Sequence, residues 1–147
     1  MNNMSQNAYL ASFKGYLKGT PKWHHLDTLW NNLRNTQQNN WYIYAVGETP
    51  PIETVSKEKL LQFIDEIDTL LHKEHQENYC GIVYADSIDE PTFVKIYDPH
   101  NLGSACGSGS LPPPLPGWVL SIIKPEDLEH AFPHTGSRKR WWNKIFS

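Results

Sequence analysis

Two cysteines, Cys80 and Cys106, are all that this chain of 147 residues carries. They form no CxxC pair and are too few for a disulfide framework, so two reduced thiols are expected. Long apolar runs are missing too, since no stretch approaches the roughly 20 residues of a membrane span. Charge of one sign is not in excess: 13 basic and 16 acidic residues leave a formal net charge of −3. That balance gives no global argument for nucleic acid or an anionic membrane as partner. The first seven residues, MNNMSQN, have neither a basic region nor an apolar one, which argues against a signal peptide. A cytoplasmic location is the resulting expectation. GxxxxGK[ST], GxGxxG before a helix and HExxH are all absent, and with them the usual grounds for a nucleotide, another cofactor or a zinc-protease site.

Aromatic residues, by contrast, are plentiful: six Trp, seven Tyr and five Phe. A chain this aromatic is not disordered, and its length suits one domain spanning 1–147. Residues 1–19 read as a partly ordered N-terminal segment. A helix is predicted from about Pro21 to Thr36, with Thr20 as N-cap, Pro21 at the first helical position and Trp23, Leu26, Trp30 and Leu33 on one stripe. Trp41–Val46 reads as a strand. Ser56 caps the strongest helix, Lys57 to about His75, whose Leu60, Leu61, Phe63, Ile64, Ile67, Leu70 and Leu71 cover one face. Cys80–Asp86 and Thr92–Asp98 read as hairpin strands, Gly117–Ile123 as another, and Pro125 opens a short helix through Phe132. The fold class is α+β. It is expected to be a mainly antiparallel sheet of about four strands, with two main helices on one face and the order α-β-α-β-β-β-α.

Three places have the residue types for a site. The first is the long connection Pro99–Pro116, in which Gly103 to Ser110 is Gly/Ser-rich and Pro112 to Pro116 favours polyproline II. It offers Asn101, Gly103, Cys106 and Gly107 as binding groups, and the PxxP spacing of Pro113 and Pro116 as an alternative contact. Cys106 is the candidate nucleophile, with His100 as base, Asp98 to orient it and the Cys106 and Gly107 amides as oxyanion donors. Acyl-transfer cysteines usually sit at a helix N-terminus; this one is followed by prolines and a strand, so a structural thiol is the simpler reading. Thiol redox chemistry with Cys80 is the remaining option.

The second place is the polar edge of the long helix, where Asp65, Asp68, His72 and His75 fall on one stripe. Carboxylate and imidazole one turn apart can share a metal, but His24 and His25 are the only other ligands nearby. The stripe is expected to be a solvated flank with Asp68 and His72 paired, and no metal is assigned. The third is the basic aromatic segment 137–147, with Arg138, Arg140, Trp141 and Trp142. It is expected to fold back on the core, and otherwise to meet a partner, a membrane surface or nucleic acid. The leading reading is a non-catalytic binding or accessory module that contacts a protein partner through 99–116, the basic tail, or both. The alternatives are a cysteine-dependent enzyme and a peripheral membrane or nucleic-acid binder.

Overall fold

The computed structural model describes residues 3–75, 80–99 and 115–128. Along the chain run α1 (Asn3–Lys14), β1 (Lys18–Gly19), α2 (Trp23–Arg34), β2 (Tyr42–Ala45), α3 (Lys57–Glu74), β3 (Val83–Ala85), β4 (Phe93–Ile96) and β5 (Trp118–Ser121). The five strands form one sheet in the order β1-β3-β4-β5-β2, antiparallel at every step. The α+β class therefore holds, with a fifth strand and with an N-terminal helix, α1, where the sequence patterns suggest only a partly ordered segment. Among the described residues no helix is long and apolar enough to cross a membrane.

Alternation along the strands sends side chains to two separate cores. Val83, Ala85, Val94, Ile96, Trp118, Leu120, Ile43 and Ala45 pack with Leu26, Trp30 and Leu33 of α2 and with the apolar face of α3. On the other side Phe93, Val119, Tyr44 and Val46 pack with Tyr9 and Phe13 of α1 and with Leu128. The two main helices thus share one face, as expected, and α1 covers part of the other. α1 carries few apolar residues and is held partly by a charge. Lys95 on β4 donates from Nζ to the carbonyl of Phe13 at 3.1 Å and lies 4.2 Å from the Phe13 ring centre. A cation at a helix C-terminus meets the negative end of the dipole. Burial lowers the Lys95 pKa from its ordinary value.

The helix starts follow different logic. Ser56 caps α3 as its position predicts, its Oγ accepting the Lys59 N–H at 3.2 Å. Thr20 does not cap α2. It is fully buried, and its hydroxyl donates to the carbonyl of Val83 at 3.0 Å and toward Cys80 Sγ at 3.3 Å. The threonine therefore ties β1 to β3, and α2 begins two residues later than expected. There His25 Nδ1 accepts the Lys22 N–H at 3.1 Å, satisfying a donor at the helix start. Cys80 is fully buried beneath this junction. The helix expected from Pro125 through Phe132 does not start at Pro125, since 125–127 are not helical; 129–132 lie outside the described residues, and Leu128 is buried and gives its N–H to the Tyr44 hydroxyl at 3.2 Å.

Tyr9 gives the first test. Its ring is fully buried and tilted against Phe93, and its hydroxyl has no hydrogen-bond partner. Burial, reinforced by Tyr44 and Glu126, raises its pKa far above the ordinary phenol value. The folded state therefore keeps the proton where the unfolded chain releases it. Stability from this group is complete below about pH 10 and falls as the pH rises further. Tyr9→Phe loses no hydrogen bond, so at pH 7 it is expected to leave stability unchanged or raise it by about 1 kcal/mol. Urea unfolding at pH 7 and pH 11 checks both points, with the variant losing less stability than wild type on going to pH 11.

Candidate functional site

β4 and β5 are consecutive in the chain and neighbours in the sheet, with Ile96 opposite Trp118. The ladder continues one step further, where the Gly117 N–H meets the Ile96 carbonyl at 2.9 Å. A hairpin of this kind needs about two to five residues to turn. This one uses everything from Tyr97 to Pro116. Both roots are firm: Asp98 is 1% exposed, Pro116 and Trp118 are buried, and Leu115 packs on the α1-side core. Gly117 lies close to Asp98, so that a Cβ there would stand 3.4 Å from the Asp98 Cβ. Of the residues assigned to this segment, Asp98 and Pro116 are seen at its base. Pro116 is therefore a buried root. His100, Asn101, Gly103, Cys106, Gly107 and Pro113 lie outside the described residues, as do Arg138, Arg140, Trp141 and Trp142 of the tail.

The polar stripe of α3 meets a matching stripe of α2. Arg34 Nη2 lies 3.0 Å from Asp65 Oδ1, and the Trp30 indole N–H donates to Asp68 Oδ1 at 3.0 Å. Trp23 stacks on the His72 ring with centres 4.1 Å apart, and its ring centre is 6.0 Å from that of His75. Rising numbers on α2 meet falling numbers on α3, so the two helices run antiparallel. The stripe is only partly a solvated flank. Asp65 keeps 71% of its side chain exposed, but Asp68 keeps 29% and His72 48%. His72 Nε2 faces Asp68 Oδ1 at 3.4 Å, the pair expected from their spacing. The third group at this point is Asp27, whose carboxylate lies within 4.8 Å of both the Asp68 and the His72 donor atoms. The sequence reading looked to His24 and His25 instead. Their rings contact each other at 4.2 Å, and His25 Nδ1 is occupied by the Lys22 N–H. The signal for Asp27 was present but unused: it stands four residues after Trp23 and three before Trp30, on the same side of α2.

A polar cleft of about 440 Å3 opens between the end of α2 and the β3–β4 turn. Asn32, Asn35, Gln37, Asp89, Glu90 and Thr92 are among its lining residues. Asn32 bridges the two walls through a 2.7 Å bond to the Ile88 carbonyl. The turn is ordered by Asp86, whose Oδ1 accepts the N–H groups of Ser87, Thr92 and Phe93 at 2.9–3.0 Å.

Comparison with known proteins finds no matching family model, no matching curated protein and no matching solved structure.

The seam between α2 and α3 contains one strong bond and one weak one. The indole of Trp30 donates to a carboxylate largely shielded from water, whereas Arg34 and Asp65 pair in the open. A double-mutant cycle of Trp30→Phe with Asp68→Ala is expected to give a coupling of about 1–2 kcal/mol. The cycle of Arg34→Ala with Asp65→Ala is expected to give no more than about 0.5 kcal/mol, and less in high salt. Urea melts of the six variants measure both.

Proposed function

We propose that this chain is a non-catalytic binding module of the cytoplasm that presents its 99–116 segment to a protein partner. One observation supports the reading above others. The segment departs from and returns to two hydrogen-bonded strands in the interior of the sheet, where a tight turn would close the hairpin. Extra chain on a rigid platform suits recognition, because the strands fix where the segment begins and ends. The composition of the segment supports the same use, since glycine and serine leave backbone amides open to a partner and proline runs favour polyproline II. The basic aromatic tail, residues 137–147, is the second candidate surface.

The competing reading is a cysteine-dependent enzyme with Cys106 as nucleophile and His100 as base. No Lys or Arg lies between Lys95 and Lys124 to favour a thiolate. An unperturbed thiol titrates near pH 8.5, roughly. The pH profile of Cys106 alkylation is therefore expected to have its midpoint at about 8 or above and to be unmoved by His100→Ala. A midpoint below about 7 that rises in His100→Ala would replace the binding module with the enzyme.

The binding reading is tested by replacing residues 100–114 with a short Gly/Ser turn. Folding of the shortened chain is expected to survive, with a melting temperature within a few degrees of wild type, since Ile96 and Trp118 remain paired. A protein that co-purifies with the full chain is expected to be lost from the shortened one. Equal retention by both, with both folded, overturns the assignment to this segment.

A further inference from the structure

We propose that Asp27, Asp68 and His72 form a binding site for a divalent transition-metal ion, with zinc the best match to the donor set. The three donor atoms come from two helices and lie within 4.8 Å of one another. Their chemistry is mixed. One imidazole nitrogen with two carboxylate oxygens suits zinc and its neighbours, whereas magnesium and calcium prefer oxygen alone.

The spacing at the centre of the trio has the right length. His72 Nε2 and Asp68 Oδ1 are 3.4 Å apart. That is long for a hydrogen bond, which falls at about 2.7–3.2 Å. Metal–ligand bonds of about 2.0–2.1 Å place the donors of a tetrahedron roughly 3.3 Å apart. Asp27 must close a little further. It is exposed on α2 and makes no other polar contact among the described residues, so a rotamer change suffices.

Two of the ligands are already held in place, Asp68 through Oδ1, the same oxygen that faces His72. The Trp30 indole N–H holds the Asp68 carboxylate at 3.0 Å, and Trp23 stacks on the His72 ring at 4.1 Å. Bonds of this kind to the ligands fix their geometry and raise affinity in metal sites. The two aromatic residues belong to the same α2 stripe as Asp27, so one helix supplies both a ligand and the supports for the other two. Arg34, a cation of the same seam, is engaged with Asp65 further along it. With His72 neutral, the trio carries two negative charges that a divalent ion balances. Among the described residues three protein donors converge here, which leaves a fourth position for water or another donor.

Zinc titration by calorimetry, with thermal melts in parallel, tests the site on the full chain. Wild type is expected to bind one equivalent at micromolar or tighter affinity and to gain about 5 °C or more in melting temperature at saturation. Asp27→Asn and His72→Gln are each expected to weaken binding tenfold or more. Both positions are exposed, and circular dichroism confirms that the variants fold. Asp65→Asn, which touches only the neighbouring ion pair, is expected to bind zinc as wild type does. Cobalt substitution adds a spectroscopic check, because a four-coordinate site gives visible d–d bands that His72→Gln shifts or abolishes. Absence of binding to wild type at about 1 mM zinc overturns the proposal. So does binding that both Asp27→Asn and His72→Gln leave intact, which would place the metal elsewhere on the chain.

Discussion

Trp118 and Leu120 enter the core beneath α2 and α3, while Val119 packs on the α1 side, so β5 has no face turned to water. A strand dry on both faces must have its backbone groups paired on both edges, because an unpaired buried amide costs as much as a lost hydrogen bond. β4 and β2 supply those partners. The remaining architecture follows from this requirement. Helices must cover two faces, the strands beside β5 must alternate between two apolar sets, and the connection from β4 must leave and return at one end of the sheet. A polar substitution at Val119 or Leu120 would disturb different cores, although the two residues are adjacent in the chain.

The pairing of α2 with α3 obeys a second constraint. Both helices bury apolar faces against the same side of the sheet, which brings their flanks together at its surface. Flanks that meet half in water cannot be wholly apolar, and here they exchange an ion pair, an indole–carboxylate bond and a stacked ring along one antiparallel seam. The seam sets the axial register of the two helices. A slide of one turn would leave Asp68 facing a different residue and the Trp30 indole without its acceptor. The same register brings Asp27 to Asp68 and His72, so the metal-site geometry and the helix packing have one origin.

Legibility in the sequence depended on how local the determining contacts are. α3 could be read because Ser56 caps it and its seven apolar positions repeat at helical spacing. The strand cores could be read because β-branched and aromatic residues cluster between turn residues, though each paired stretch is shorter than its apolar run. Trp41, Ile82 and Ile122 lie outside the ladders but pack on the same core. α1 was missed because its first half is mainly Asn, Gln and Ser, and among its described side chains Tyr9, Leu10 and Phe13 provide the packed face. β1 has two residues, too few for any periodic signal. Thr20 looked like a cap because that role is judged from the next three residues, whereas its actual partners are 60 and 63 positions away. Asp27 failed to appear for the same reason: a ligand set drawn from two helices exists only once they have been docked.

The strand order also has a consequence in time. β2 is made early, yet its pairing is with β5, so that Tyr42 waits for Ser121 before its ladder can form. A nascent chain that has released α3 and the β3–β4 hairpin from the ribosome already holds most of its apolar surface but has an open gap in the sheet. Until β5 arrives, the edges of β2 and β4 both carry unpaired amides and carbonyls. Contacts of such long sequence separation slow folding and prolong the exposure of those edges. The last of the described strands to be synthesised is therefore the one that joins the two parts, and a premature stop shortly before Trp118 would release a chain with two further adhesive edges in place of a continuous sheet.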